Sequence, residues 1–146
     1  MNSGRIVLSA VAATVAYNLF GFLVFGLFPG MADYYRAYPG VFRPKETIMS
    51  YFPIGMAGIF IAILVLAVIY AKGYEGGNGA AEGARFGLLI AVFVIAAFVI
   101  HDYSILNLGR DIALAQAAIA IPAWTVTGMA IGLVHRPTMT STPRKA

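Results

Sequence analysis

The sequence predicts an all-α protein: an integral membrane four-helix bundle with antiparallel up-down topology. Three observations predict it. The 146-residue chain is 60% hydrophobic and 11% charged, with a mean hydropathy of +0.82, whereas a soluble domain is about 45–50% apolar and about 25% charged. The apolar residues gather into four runs, 6–28, 51–71, 84–106 and 112–134, each near the roughly 20 residues that cross about 30 Å of hydrocarbon as a helix. No run alternates as a strand does, and in lipid only a helix or a closed barrel satisfies the backbone polar groups. One four-span domain, residues 1–136, is expected, followed by a cytoplasmic tail, 137–146, whose Thr, Ser, Pro and basic residues carry no apolar pattern and are expected to be disordered.

The first run holds no charge and stops at Pro29-Gly30, since proline cannot continue a helix. Arg5 and the Ala10-Val11-Ala12 tripeptide resemble parts of a signal peptide. However, residues 6–9 alone would form its apolar core, shorter than the about 7–15 residues such cores need. A retained helix is expected. Near its centre stand Tyr17 and Asn18. An amide in hydrocarbon needs a partner, so Asn18 is expected to bond across helices, worth about 0.6–2 kcal/mol, or to contact a ligand together with Tyr17.

The connection 29–49 reads as a tyrosine-rich loop. In the second run Pro53 falls in the first turn, where proline is tolerated, and Tyr51 and Phe52 suit a headgroup interface. Gly58 and Ala62 offer small side chains at a packing spacing. The stretch 72–83 is glycine-rich and reads as a flexible loop. Its charges, Lys72 with Glu75 and Glu82 with Arg85, are three apart and predict an ion-pair network anchoring that loop, Glu82 also complementing the dipole of the helix it precedes. The loop lacks G-x-x-x-x-G-K-[ST] and carries two acids, which argues against nucleotide binding.

The third run opens with Gly83-x-x-x-Gly87, and the fourth closes with Gly128-x-x-x-Gly132. A tight hairpin joins these runs, so the two motifs fall at similar depth, and the four glycines are predicted to let the backbones approach. Pro122 is expected to bend the fourth helix. His101 and Asp102, with Ser104, Asn107, Arg110, Asp111 and Gln116 close in sequence, form the densest polar cluster of the apolar region. They point about 100° apart on a helix. A solvated interfacial cap and a proton or small-ligand site are both open for them.

Other chemistry is disfavoured. No cysteine is present, which removes disulfides and thiolate metal sites. No second histidine or carboxylate stands at ligand spacing from His101, so no metal is expected. Haem would need paired histidines, and His135 belongs to the opposite end of its helix, about 30 Å away across a span. No catalytic residue set and no cofactor is expected. Nineteen aromatic residues leave a lipid-soluble pigment or quinone open, although aromatics ordinarily pack.

The net charge of +4 sits in loops and at chain ends, which points to anionic headgroups rather than nucleic acid. One side would carry Arg5, Lys72, Arg85, Arg136, Arg144 and Lys145, the other Arg36, Arg43, Lys45 and Arg110. The richer side is expected in the cytoplasm, with both termini.

The stretches Ile69-Tyr-Ala-Lys-Gly-Tyr-Glu-Gly76 and Glu82-Gly-Ala-Arg-Phe-Gly-Leu-Leu89 resemble those of a widespread group of small, uncharacterised bacterial four-helix membrane proteins, which share an "IY-x-KG-x-EG" and an "EG-x-RFGL" motif. The resemblance runs from Arg5 to about Pro137. It implies a bacterial inner-membrane location and supplies no activity. The expected partners are therefore the lipid bilayer and either further copies of the chain or a membrane complex. A structural or accessory role is expected. The alternative is a binder or transporter of a small hydrophobic or ionic substrate acting as a dimer, and an enzyme using His101 and Asp102 ranks behind both.

Overall fold

Apolar runs become helices here, and the polar residues between them supply the ends. In the computed structural model, residues 2–28 and 30–135 are described, and they are all-helical without a strand. α1 (Ser3–Leu27) opens where the Asn2 side chain accepts a hydrogen bond from the Arg5 N–H at 3.2 Å, filling one of the donors that a helix start leaves open. A short α2 (Met31–Arg36) follows, with Arg36 donating to Asp33 at 2.9 Å. α3 (Lys45–Gly73) begins directly after Pro44, and Pro53 lies inside it.

α4 (Gly79–Val94) is capped by Asn78, whose side chain accepts from the Ala80 N–H at 3.1 Å. The rod continues without a break through a π-helical segment (Ile95–Ile100) into α5 (His101–Ile105). α6 (Arg110–His135) completes the chain, with Pro122 inside it. Four stretches, α1, residues 46–73 of α3, Gly79–Ile105 and α6, are long and apolar enough to cross a membrane. Their outward residues, among them Leu27 at 71% exposure and Ile54 and Leu89 at 69% each, make a surface that water would penalise and lipid would not.

α6 is the central element. It buries Ala120, Ala123, Thr127, Gly128, Ile131 and Gly132 against α4 on one side and α1 on the other. α3 packs on α1 through its C-terminal half only: Ile63, Ala67 and Tyr70 join Ile6, Ala10, Ala13 and Ile131 in one buried cluster. The N-terminal half of α3, including Ile48, Met49, Phe52 and Ile54, stays exposed. The buried hydroxyls of Ser9 and Thr127 are satisfied inside their own helices, donating to the Ile6 and Ala123 carbonyls at 2.8 and 2.7 Å. Such back-bonding lets a hydroxyl sit in a tight helix contact at little cost.

Element boundaries differ from the sequence expectation in four places. The connection 29–49 contains α2 and gives its last residues to α3, so Pro53 lies in the third turn rather than the first. Residues 79–83 are helical, not loop, because the Asn78 cap starts α4 early. The turn between α3 and α4 thus shrinks to residues 74–78, where Gly76 takes a φ of 85°, a conformation that suits glycine. The third run is interrupted by a π turn. The expected tail, 137–146, lies outside the described residues, as does Arg136.

Candidate functional site

Small residues set the spacing of α4 and α6. Gly79, Gly83, Gly87 and Ala91 are all buried and each four apart, which places them on one helix face. A Cβ on Gly83 would strike the Gly128 carbonyl, one on Gly87 the Trp124 carbonyl, and one on Gly132 the Gly79 carbonyl. The contact descends α6 as it climbs α4. The four glycines predicted to meet do so, and Gly79 extends the row by a turn. Its spacing was legible; the surrounding glycine-rich sequence disguised it as loop. Gly58 behaves otherwise: it is exposed, and nothing lies within 4 Å of its Cβ position. Ala62 is exposed as well.

Where the small residues end, a cavity begins. Beyond Ala91 the face carries Val94 and then Val99, both lining it. The five-residue step between them matches the wider π turn, whereas an α-helix would return to the same face after three or four. The cavity measures about 350 Å³ and lies between α1, α6 and the π segment. Trp124, whose backbone forms the Gly87 contact, meets Tyr17 of α1 with ring centroids 5.3 Å apart. Tyr35 of α2 also lines it, stacked on Phe25 at 5.9 Å and edge-on to Phe42 at 4.6 Å. Burial pushes the Tyr35 hydroxyl above the ordinary tyrosine range.

Among the lining residues, Tyr17, Tyr35, Gln116 and Trp124 carry polar side-chain groups. None of the four side chains makes a hydrogen bond to the described residues. No carboxylate, lysine, arginine or histidine lines this cavity. A second, larger hollow of about 680 Å³ adjoins it at Phe25 and Tyr35 and is bordered by Arg36, Arg43 and Glu46. There Arg43 lies over the Tyr51 ring, 3.6 Å from its centroid.

Of the four ligand candidates read from sequence, only Tyr17 lines this space. Asn18 turns to its own helix, donating to the Thr14 carbonyl at 2.8 Å, so the interhelical bond expected of it is replaced by an intrahelical one. His101 is exposed and Asp102 half-buried. Their backbone carbonyls accept hydrogen bonds, that of His101 from Ser104 Oγ at 2.6 Å and that of Asp102 from the Leu106 N–H at 2.8 Å. Gln116, grouped with them by sequence proximity, belongs to the cavity instead. Tyr35, Gln116 and Trp124 were missed as a set because α2 and α6, which carry them, lie far apart in sequence and only packing brings them to Tyr17.

The charged residues of the α3–α4 turn also depart from expectation. Among the described residues neither Lys72 and Glu75 nor Glu82 and Arg85 form an ion pair; Arg36 and Asp33 do. Glu82 anchors the turn differently, accepting from the backbone N–H groups of Glu75 at 2.8 Å and Gly77 at 3.3 Å. At the other end of the molecule the Gly109 N–H donates to the Tyr38 hydroxyl at 2.9 Å, tying the α2–α3 connection to the α5–α6 connection.

Fold and site together define an all-helical protein with four span-length helices and an uncharged aromatic cavity. Comparison with family models, with curated proteins and with solved structures gave no match.

Proposed function

We propose that the chain is a multi-pass bacterial inner-membrane protein of up-down antiparallel topology, with both termini cytoplasmic, that acts as a structural or accessory subunit and self-associates. The opposed running of the glycine contacts supports the topology, and the six-to-four division of basic residues supports the orientation. The resemblance in the IYAKGYEG and EGARFGLL stretches supports the location.

One observation carries self-association. Tyr51, Gly55, Gly58, Ala62, Val65 and Ile69 of α3 are all exposed, at alternating steps of four and three. That is the spacing of a helix–helix seam, with small residues at its centre. Fluorescence energy transfer between labelled copies in liposomes tests it. Transfer in the wild type that falls in Gly58→Leu is expected; no transfer at any protein-to-lipid ratio overturns the reading.

The cavity favours a second reading, a binder of a small lipid-soluble molecule. Mass spectrometry of protein purified natively in mild detergent tests it. A stoichiometric small molecule, lost on filling the cavity, is the expected result.

A further inference from the structure

We propose that the cavity between α1, α6 and the π segment binds an uncharged, carbonyl-bearing ring compound of the quinone class; this rests on the second reading above. The size is suitable, since about 350 Å³ lies at the lower end of the roughly 300–1,000 Å³ of small-molecule sites.

Charge narrows the class. The lining contains no ionised side chain, so an ionic guest would be buried without a counter-charge, which costs several kcal/mol. Polarity narrows it further. Trp124 offers a donor with no acceptor, Gln116 two donors and an acceptor, and Tyr17 and Tyr35 one hydroxyl each. With no partner among the described residues, these groups are costly in hydrocarbon. The set is donor-rich, and a guest with carbonyl oxygens is what donors recognise. A saturated or purely hydrocarbon guest would leave them unmet.

Shape agrees. The lining is rich in aromatic rings, with Tyr17 tilted against Trp124 and Phe25 stacked on Tyr35, and a flat ring packs well among aromatic neighbours. Val94, the last residue of α4, and Val99 of the π segment both line the cavity, and π turns recur at functional sites because they re-aim a helix face locally. The proposal concerns binding alone.

Trp124 is the sole tryptophan of the chain, so its emission reports on this cavity directly. The probe is ubiquinone-1, titrated into full-length protein in phosphatidylethanolamine–phosphatidylglycerol nanodiscs, with naphthalene as a ring lacking carbonyls. Saturable quenching by ubiquinone-1 is expected, weakened about fivefold to tenfold in Gln116→Leu and in Tyr17→Phe, as loss of a neutral hydrogen bond implies. Ala120→Phe, which fills the cavity, should abolish it; if that variant does not fold, the Gln116→Leu comparison decides. Quenching that rises linearly and equally in all variants is membrane partitioning and overturns the proposal. Saturable quenching by naphthalene but not by ubiquinone-1 overturns the carbonyl class and leaves the binding reading standing. Saturation by neither probe, together with no co-purified small molecule, overturns both.

Discussion

Gly128 lies so close to α4 that a Cβ on it would collide with the Gly83 carbonyl and stand 2.7 Å from both the Cα and the N of Gly87. Two backbones are in contact there with no side chain between them. In lipid, where burial of apolar surface does not drive helices together, such close packing is a main source of association. The contact is a stop as well as a hold, since it fixes how near α4 comes to α6 and therefore where the cavity can open.

Adding a methyl at Gly128 should thus be costly. Gly128→Ala is expected to lower stability by about 1–3 kcal/mol, the usual cost of overpacking, and Gly128→Leu to separate the helices. Gly21→Ala is the control: nothing lies within 4 Å of its Cβ position, and a mid-helix alanine is favoured over glycine by about 1 kcal/mol. Thermal unfolding in detergent, followed by circular dichroism, should give opposite signs for the two substitutions. Equal effects would mean that Gly83 and Gly128 do not hold the contact.

Glu82 makes a different claim on the α3–α4 turn. Its carboxylate collects two backbone donors, Glu75 and Gly77, next to the only described residue with a left-handed φ outside a helix, Gly76. Glu82→Ala should release the turn at a cost of about 1 kcal/mol. Hydrogen exchange resolved by residue should quicken at the Glu75 and Gly77 amides. Arg85→Ala should leave both amides unchanged; if it does not, an ion pair shares the anchoring.

At the opposite end, Tyr38→Phe removes one acceptor and keeps the ring. The Gly109 N–H then loses its partner across 71 residues of sequence. A loss of about 1–2 kcal/mol is expected for a half-buried amide left unmet, with faster exchange at Gly109. Unaltered exchange would show that water replaces the hydroxyl freely.

His101→Ala is expected to do little. The side chain is exposed and lies outside the cavity lining, so stability should change by less than about 0.5 kcal/mol and quenching of Trp124 should be unaffected. A large effect on either would return function to the His101–Asp102 pair.

These contrasts mark what a sequence carries and what it does not. The four long apolar helices were legible because hydrophobicity is additive over twenty residues and needs no knowledge of neighbours. The contact of Gly83 with Gly128 was legible because a four-residue spacing and a short hairpin both constrain depth. The π segment left no trace, since Ile95–Ile100 is an unbroken apolar stretch with no breaker in it. Tyr17 drew notice as a polar group in lipid, yet the residues that complete its surroundings arrive from positions 35, 116 and 124, a conjunction made only by packing. Asn18 drew the same notice, but a carbonyl one turn back in its own helix answered it.

Tyr35 links the cavity to pH. Its hydroxyl is pushed above the ordinary tyrosine value near 10 by burial, so the folded protein holds that proton more tightly than the unfolded chain does. The resulting stabilisation is present in full below about pH 10, where both states are protonated. It is lost as pH rises through the folded value, because the unfolded chain releases its proton first. Alkaline titration should therefore destabilise the wild type more than Tyr35→Phe, with both behaving alike at neutral pH. Should the two curves stay parallel into the alkaline range, the hydroxyl is solvated, and Tyr35 does not seal the wall that it shares with the hollow bordered by Arg36 and Arg43.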